Sequence, residues 1–595
     1  MAAKTSFGVV DYVVFGIMLL ISAAIGVYYR FTGGKQKSNK EYLLADKNMN
    51  VIPVGFSLMA SFMSAITLLG VSSENYVYGT QFVIINFSYI FGTFIAAYLY
   101  LPVFFHLQVT SAYEYLELRF GKITRRTASG AFILQMVLYM SIVLYAPALA
   151  LNAVTGIEKW ISIVAVGLVC TFYSTVGGMK AVLWTDLFQA LLMFAAVFTV
   201  IIAGLVEFKG FSAIWDIADR GKRIEFFNFN PDPTVRHTVW TQMFGGIFVY
   251  TSLYGVNQAQ IQRLMTVKTL KKSQTALFLN WPILTVLSLT TSFSGLVIYA
   301  KYHDCDPLLT KHISAPDQLL PLFVMDFLSQ TPGVAGLFVS GIFSGALSTV
   351  SSAVNSLAAV TLEDFIKPII RTDFSERKLS FISQALALSY GLICVALAFV
   401  AEQLGGVLQA SLTIFGLVGG PLLGLFSLGM FFPKSNEKGA LAGLITSLIL
   451  CFWIGFGATY TRPYNPILPQ SDSGCFVNNS SEISELLFNV TNISESVFMN
   501  ASSTVHSILD PSEKNKNILY VYRLSYMWMA PIGFTITFVV GLIVSLLTGG
   551  NETNPDLLSP PIAKYQKRAQ EQYSSVAING EELSQLSKIH EENHY

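Results

Sequence analysis

The sequence contains few charged residues, and this shortage excludes most kinds of soluble protein. Asp, Glu, Lys and Arg make up 12% of the 595 residues, whereas a soluble chain carries about twice that fraction. A net charge of +1 provides no basic surface for nucleic acid, which is therefore not an expected partner. Hydrophobic residues reach 53%, a value typical of proteins that cross a lipid bilayer many times.

Cysteine is scarce as well, and the sequence motifs of enzymes are missing. No CxxC, HExxH, GxSxG or Walker-type signature occurs at a usable position, so we expect neither an enzyme nor a bound cofactor. Three of the five cysteines, Cys170, Cys394 and Cys451, lie in apolar runs, where cysteine is usually a small apolar residue. Cys305 and Cys475 lie in polar segments, and the sequence alone leaves a disulfide between them open.

Apolar runs of about 20 residues, the length that spans a bilayer, recur thirteen times along the chain. The first run lacks a small-residue cleavage site and is followed by others, so we expect it to be retained. The predicted spans lie near 9–29, 51–75, 81–105, 128–150, 158–178, 185–205, 240–258, 276–299, 333–361, 380–402, 406–431, 438–458 and 525–548.

Basic residues in the loops predict how the chain is oriented in the membrane. The loops after spans two and ten carry no Lys or Arg, whereas several loops after odd-numbered spans are basic. Because Lys and Arg accumulate on the cytoplasmic side, we expect an extracellular N-terminus and a cytoplasmic C-terminus. These loop residues are Arg30, Lys35, Lys37, Lys40, Lys47, Arg119, Lys122, Arg125, Arg126, Arg263, Lys268, Lys271, Lys272, Lys367, Arg371, Arg377 and Lys378.

Five Asn-x-Ser/Thr glycosylation signals support the same orientation. All of them lie between spans twelve and thirteen, in the polar segment 460–524, which this topology places outside the cell. We therefore expect a glycosylated, multi-pass protein of the plasma membrane. The signals begin at Asn478, Asn479, Asn489, Asn492 and Asn500.

The spans can be grouped into two inverted halves of five helices, an arrangement common among secondary carriers. In this grouping, spans two to six form the first half and spans seven to eleven the second. The predicted divisions are 1–50 with the first helix and a cytoplasmic loop, 51–205 as the first half, 206–239 as an extracellular loop, 240–431 as the second half, 432–459 as the twelfth helix, 460–524 as the glycosylated loop, 525–548 as the thirteenth helix, and 549–595 as a cytoplasmic tail.

The first helix of each half is where a transport site is expected. Span seven contains Gly255 followed by Asn257 and Gln258, and an interrupted helix requires such a combination. Span two has no matching helix breaker near its middle. Its hydroxyls instead line one helical face, at Ser57, Ser61, Ser64 and Thr67.

Span nine contains a dense run of hydroxyl side chains between Ser344 and Asn355. Small polar residues at membrane depth serve either close helix packing or the binding of a polar solute. Sodium favours several neutral oxygen donors, which hydroxyls and freed carbonyls supply without a buried carboxylate. Packing is the simpler explanation for a single hydroxyl, whereas the adjacent pair Ser348 and Thr349 favours an ion contact.

Several sequence blocks resemble the sodium/solute symporter family, in particular its sodium-coupled monocarboxylate, sodium-dependent multivitamin and sodium/iodide carriers. The resemblance runs from about residue 9 to residue 549. It implies an all-α polytopic membrane fold of about 13 transmembrane helices with a LeuT-type 5+5 inverted repeat, and inward cotransport of sodium with an anion. The blocks are 111–120 (SAYEYLELRF), 145–152 (YAPALALN), 184–186 (WTD), 254–258 (YGVNQ) and 347–349 (LST).

The resemblance also implies the residues of the binding sites. Asp186 lies at the edge of a span, so the alternative to sodium binding is that its carboxylate has a purely structural role. Aromatic residues in spans more often pack against other helices than bind a substrate. The implied sodium ligands are Ser348 and Thr349, supported by Ser61, Ser64, Thr67, Tyr139, Asp186, Gln189 and Gln258. The implied substrate contacts are Phe62, Thr67, Asn86, Tyr89, Tyr250, Tyr254 and Leu412.

The identity of the anion is harder to predict from these blocks. Residues 61–67 resemble the monocarboxylate carriers, whereas 425–432 and 539–549 resemble the multivitamin carrier. We therefore expect a sodium-coupled importer of small organic monocarboxylates, with biotin, pantothenate and lipoate ahead of lactate or short-chain fatty acids. An iodide-type carrier, an anion channel and a transporter-derived sensor are the alternatives. The spans show no obvious fixed cation, so hydroxyls, helix N-termini and the sodium ion itself are expected to hold the anion.

Overall fold

The computed structural model describes residues 7–31, 45–109, 111–328, 331–369, 375–401, 406–475, 515–550 and 553–568. Within these ranges the chain forms helices and loops but no strand. Ten helices in the described ranges are long and apolar enough to cross a membrane, and one bent pair of helices makes an eleventh candidate. The prediction of an all-α polytopic membrane protein is therefore confirmed.

We number the helices in chain order. The first eight are α1 (Val9–Phe31), α2 (Val51–Phe62), α3 (Thr67–Tyr78), α4 (Thr80–Leu107), α5 (Glu114–Arg119), α6 (Lys122–Thr155), α7 (Lys159–Glu207) and α8 (Phe211–Arg220). The others are α9 (241–256), α10 (Gln258–Leu264), α11 (Leu270–Tyr302), α12 (Leu319–Leu328), α13 (Val334–Ile369), α14 (Glu376–Ala401), α15 (Val407–Phe431), α16 (Glu437–Thr461) and α17 (Tyr526–Leu547).

All thirteen predicted spans fall on helices, although four of them differ from a simple crossing by one helix. The second span is bent by 63° where α2 meets α3. The fifth and sixth spans both fall within α7, in which Lys159–Thr171 is a shorter apolar helix and Met179–Glu207 is long enough to cross. The seventh span ends at Asn257, whose extended backbone separates α9 from α10.

Small residues allow the central helices to pack closely. The helices α13 and α15 are almost wholly buried, whereas α1 and α17 expose most of their apolar side chains around the outside. A Cβ atom added at Gly341 of α13 would lie 2.4 Å from the Cβ of Ala196 on α7. Such close approach of two backbones replaces the hydrophobic driving force that is missing between helices in lipid.

Arg119, in the block 111–120, forms hydrogen bonds to the C-terminal end of α15. Its guanidinium donates to the carbonyl oxygens of Gly429 (3.0 Å), Phe432 (2.9 Å) and Ser435 (3.0 Å). The last carbonyls of a helix have no partner within that helix, so a buried arginine that reaches them satisfies both groups. The sequence analysis assigned Arg119 to a cytoplasmic loop, but in the described structure its side chain is buried and has a structural role.

A disulfide joins two loops on the opposite end of the molecule. The sulfur atoms of Cys305 and Cys475, whose pairing the sequence left open, are 2.04 Å apart. The bond ties the segment after α11 to the segment after α16. The five glycosylation signals all lie in 476–514, outside the described residues, so their use stays a prediction.

The segment before α12 contains a buried carboxyl group that meets the start of α15. Asp317 is 4% exposed and accepts a hydrogen bond from Val407 N at 3.1 Å. Burial, together with the nearby Glu74 carboxylate, raises the pKa of Asp317 from 3.8 to about 6. The ionised form therefore costs folding free energy at neutral pH.

This shift predicts how stability changes with pH. The folded state binds the Asp317 proton more tightly than the unfolded state does. The stabilisation of the fold by protonated Asp317 is therefore complete below about pH 4 and is lost as the pH rises through about 6, a change of about 3 kcal/mol in the free energy of unfolding. Asp317→Asn keeps an acceptor for Val407 N but cannot ionise, so its melting temperature in detergent should vary less over this range. Exposed Asp472→Asn serves as the control. Equal pH dependence in wild type and Asp317→Asn would contradict the prediction.

Candidate functional site

The break between α2 and α3 leaves backbone carbonyls without helical partners. α2 ends at Phe62, and Met63 is extended, with φ −75° and ψ 98°. The helix resumes through a hydrogen bond from Thr67 N to Ser64 O at 2.9 Å, while the Ser64 hydroxyl accepts from Ile66 N at 3.1 Å. The carbonyls of Ala60 and Phe62 therefore have no partner within α2, and side-chain hydroxyls of other helices approach them instead.

The hydroxyl pair of α13 lies directly against this break. Thr349 Oγ1 is 3.4 Å from the carbonyl oxygen of Ala60 and 3.0 Å from that of Gly345. The adjacent Ser348 Oγ donates to a carboxylate oxygen of Asp186 at 2.6 Å. Both hydroxyl residues are at most 1% exposed. Neutral oxygens from two helices thus converge at one buried point, which is the donor set that suits a desolvated sodium ion.

Gly345 makes this convergence possible, because α13 touches the interrupted backbone there. A Cβ atom at Gly345 would lie 2.8 Å from Ala65 N and 3.0 Å from the carbonyl carbon of Ser64. Backbone atoms cannot move aside as the end of a flexible side chain can. A side chain at this position would therefore push α13 away from the break.

We expect Gly345→Ala to destabilise the protein by about 1–3 kcal/mol through overpacking. The same change should weaken sodium activation of transport, since it separates the oxygens on the two helices. Gly130→Ala on α6 is the matched control, because no atom lies within 4 Å of its added Cβ. The melting temperature in detergent and sodium-dependent uptake provide the two measurements. If Gly345→Ala gives wild-type values in both, α13 does not contact the backbone of the α2–α3 break as closely as described.

An ion pair lies behind the hydroxyl pair. Asp186 of α7 and Arg263 of α10 are both fully buried, with Arg263 Nη2 3.5 Å from Asp186 Oδ2. Ser57 joins them by donating to Asp186, and it accepts from Arg263 Nε at 2.8 Å. Arg263 also donates to Ser352 and to the carbonyl of Ala259. Buried charges need this degree of pairing, because an isolated ion is costly away from water.

The position of Arg263 corrects the sequence analysis. We predicted a basic residue of a cytoplasmic loop and no fixed cation near the site. Instead, Asn257 caps a short helix by accepting from Ala259 N at 2.9 Å, and that helix carries Arg263 into the interior. Polar neighbours made the stretch resemble a loop. The residue that pairs with Arg263 lies 77 positions earlier, and no local pattern indicates it.

The other predicted sodium residues are only partly brought together. Ser61 lies beside the pair, where it accepts from Ser352 Oγ at 3.2 Å. Tyr139 approaches the break, with its hydroxyl 3.5 Å from Phe62 O. Gln189 is one helical turn from Asp186, is fully buried, and has no hydrogen-bond partner for either amide atom within the described structure. Gln258 is directed elsewhere, since its Oε1 accepts from Ala112 N at 2.7 Å.

Most predicted substrate residues form an aromatic cluster beside the break. The ring centre of Phe62 is 6.2 Å from that of Tyr254, which is 4.4 Å from Tyr250. Tyr250 is in turn 5.3 Å from Tyr89. This chain of rings connects α2, α4 and α9, so the break between α2 and α3 and the aromatic cluster form one continuous site.

The polar groups of the cluster show what it offers a ligand. Tyr250 OH bonds to Thr93 Oγ1 at 2.7 Å, and Tyr254 OH donates to Leu58 O at 3.3 Å. Asn86 donates to Val83 O, but its buried Oδ1 has no partner among the described residues. Leu412 is buried on α15. Thr67 begins α3 and is 8% exposed.

Phe415, which the sequence analysis missed, closes the cluster from α15. Its ring centre lies 6.2 Å from Phe62 and 4.6 Å from Tyr139. It follows Leu412 by three residues, so the helical period places both on neighbouring parts of one face. That spacing was the available signal in the sequence. Ser57 and Ser352 also contact the ion pair, although the sequence showed only that both belong to hydroxyl-rich stretches.

Comparisons with known proteins show which proteins the chain resembles. The family described as "Sodium:solute symporter family" matches residues 42–447. A putative sodium-dependent multivitamin transporter of Drosophila melanogaster is 52% identical over 586 residues, which cover 95% of this chain and 93% of that protein. Sodium-coupled monocarboxylate transporter 1 of Homo sapiens is 47% identical, covering 93% of this chain and 89% of its own. The sodium-dependent multivitamin transporter of Oryctolagus cuniculus is 44% identical, covering 94% and 86%.

A solved structure supports the fold. A Na⁺-coupled sialic acid symporter in a substrate-bound, outward-open state matches with a TM-score of 0.71 at 23% sequence identity. The match covers 92% of this chain and 100% of that chain. The predicted LeuT-type fold is therefore confirmed.

Proposed function

Because the chain belongs to the sodium:solute symporter family, we propose that it is a sodium-driven importer of small organic monocarboxylates. Vitamin-type acids such as biotin, pantothenate and lipoate come slightly ahead of lactate and short-chain fatty acids. Sodium-coupled symport is the activity of the family, whereas the substrate, the plasma-membrane location and the extracellular N-terminus are our proposals. The observation that carries the proposal is the position of Thr349 Oγ1 between Gly345 O of its own helix and Ala60 O at the α2–α3 break.

The proposed sodium ion is held by Ser348 and Thr349 together with carbonyls of α2. Ser61, Ser64, Thr67, Tyr139, Asp186, Gln189 and Gln258 remain proposed supporting residues. Asp186 would act through Ser348, with which it shares a hydrogen bond of 2.6 Å. Since Arg263 already offsets the charge of Asp186, an arriving sodium ion adds a positive charge that attracts an anion.

The proposed anion site is the aromatic cluster next to that sodium ion. Phe62, Tyr89, Tyr250 and Tyr254 provide apolar faces and tyrosine hydroxyls, and Asn86, Thr67 and Leu412 complete the set. A carboxylate needs a hydrogen-bond donor and a nearby positive charge, whereas the rest of an organic acid needs apolar walls. Similarity to both multivitamin and monocarboxylate transporters supports an organic acid rather than iodide.

We also propose an order of binding. Sodium from outside binds first and joins α13 to the break in α2 and α3, and the anion then binds beside it. Movement of the helices afterwards exposes both solutes to the cytoplasm. Each positive charge that enters without a compensating anion gains about 2.3 kcal/mol per 100 mV, so transport current would reveal the ratio of sodium to anion.

Uptake of labelled biotin, lactate and iodide into cells tests the proposal when sodium is replaced by choline. We expect sodium-dependent uptake of the organic acids, with biotin preferred. Sodium-dependent uptake of iodide alone would favour an inorganic-anion carrier instead. Anion flux that does not depend on sodium would indicate an anion channel. Binding of sodium and the acid without accumulation of the acid would indicate a sensor.

A further inference from the structure

A cleft of about 520 Å³ opens where α15 begins and α16 ends, and none of the proposed sodium or substrate residues lines it. Three arginines line it, Arg236, Arg462 and Arg523, and none of its described lining residues is acidic. We call it the arginine cleft. In the orientation proposed above, it faces the outside of the cell.

The charge of Arg236 is already compensated. Its Nε and Nη2 atoms lie 2.6 and 3.0 Å from the two carboxylate oxygens of Glu74. Its third nitrogen, Nη1, donates to Gln409 Oε1 at 2.6 Å. Arg236 therefore helps to shape the wall of the cleft and adds little net charge to it.

Arg462 and Arg523 form no ion pair with any described residue. Arg523 Nε is buried and has no hydrogen-bond partner in the part of the chain that the structure describes. Its guanidinium carbon lies 5.3 Å from the ring centre of Tyr520. Asp232 lines a neighbouring cleft that shares Arg523, but it accepts hydrogen bonds from its own turn, through Thr234.

Arg523 Nε is shielded from solvent, so an anion in the cleft would meet the outer guanidinium nitrogens of Arg462 and Arg523, whose charges no carboxylate among the described residues offsets. Arginine suits a carboxylate in particular, because its planar guanidinium presents paired donors to two oxygens. The aromatic and apolar residues Tyr522, Met529 and Ile454 also line the cleft, beside polar residues such as Gln409 and Asn465. The combination fits the carboxylate of a small organic acid with an apolar body.

The arginine cleft is also close to the proposed transport site. Gln409 and Thr413 of α15 line the cleft, and Phe415 begins the aromatic contacts of the site two residues further on. Met529 lines the cleft and packs against α15 at Gly416, where an added Cβ would lie 2.6 Å from the Met529 Cβ. The cleft residues and the site residues of α15 therefore lie within about one helical turn of each other along the helix axis.

We propose that the arginine cleft is an outer binding site at which Arg462 and Arg523 capture a monocarboxylate before it reaches the central site. The proposal rests on the proposed function for its orientation and its substrate class. Capture raises the local concentration of the anion and therefore lowers the apparent KM for it. Sodium binds elsewhere, so its apparent affinity is unaffected.

Chemical modification tests the cleft without requiring transport. Purified full-length protein in sodium-free buffer is treated with phenylglyoxal, and mass spectrometry follows the peptides that contain Arg462 and Arg523. Lactate should slow their modification by about twofold or more, whereas neutral lactamide should not, because a guanidinium prefers a charged acceptor. The Ser348→Ala Thr349→Ala variant should keep this protection. Equal effects of lactate and lactamide would overturn the proposal.

Transport kinetics provide the second measurement. The Arg462→Gln Arg523→Gln variant should raise the KM for lactate and biotin by about threefold to tenfold at unchanged sodium affinity. Exposed Lys311→Gln is the control, since Lys311 lies outside the cleft. An unchanged KM of the Arg462→Gln Arg523→Gln variant, at equal amounts of protein at the cell surface, would overturn the proposal that the cleft binds the anion. If lactate protects Arg462 and Arg523 from phenylglyoxal but the wild type shows no sodium-dependent uptake, the proposed function is refuted and the binding of an anion in the arginine cleft is supported.

Discussion

Replacing Ser348 and Thr349 together by alanine should lower the apparent sodium affinity of transport by about tenfold to a hundredfold, because one oxygen that meets a charged partner contributes about 1.5 kcal/mol and two contribute at most about twice that. Thr349 loses its place between Ala60 O and Gly345 O, and Asp186 loses a donor. Substrate affinity at saturating sodium should change much less. Uptake measured as a function of sodium concentration, at equal surface amounts, gives the result.

Ser340→Ala is the matched control for this variant. Ser340 is a buried serine of the same helix, and its hydroxyl donates to the carbonyl of its own helix at Gly336, 2.7 Å away. Removal of that hydroxyl should leave sodium dependence unchanged. If both variants behave alike, the run of hydroxyls in α13 serves helix packing, which is the alternative that the sequence left open.

The general fold is predictable from the sequence because the length of an apolar run is a local property. Each of the thirteen apolar runs falls on a helix, since a segment of about 20 apolar residues in lipid must satisfy its backbone internally. The interruption of span seven is also visible locally, in Gly255, Asn257 and Gln258. Asn257 both stops α9 and caps α10.

The break in span two has no such local signal. Residues 61–67 contain neither glycine nor proline, and the helix ends there because other elements support the extended backbone. Gly345 brings α13 against Ala65 N, and the Ser64 hydroxyl accepts the hydrogen bond of Ile66 N. Long-range packing therefore determines the most important feature of the site. A single sequence, read without an alignment, does not show such packing.

The Asp186–Arg263 pair illustrates the same limit for charge. A basic residue among glutamines looks like part of a solvated loop until the opposite charge is located. The structure places that charge on α7 and adds Ser57 and Ser352 as partners. Consequently the positive charge that the sequence analysis found missing near the hydroxyl pair is present, although Asp186 offsets it.

Breaking this pair should cost more stability than any other change considered. Asp186→Asn leaves the Arg263 charge buried without an opposite charge, and Arg263→Met leaves the Asp186 carboxylate in the same state. Each variant should lose about 3–5 kcal/mol, seen as poor surface expression and a lower melting temperature in detergent. The double variant removes both charges, so we expect it to recover much of the lost stability.

The double variant also separates folding from ion binding. If Asp186 supports sodium through Ser348, the Asp186→Asn Arg263→Met protein reaches the surface but needs more sodium for uptake. Asp556→Asn Lys567→Met is the control pair, because those partners lie 2.9 Å apart on the exposed surface and such a pair contributes little. Single variants as stable as wild type would show that the two charges are not coupled. A stable double variant with wild-type sodium dependence would leave Asp186 with a structural role, and the hydroxyl pair would then bind sodium without it.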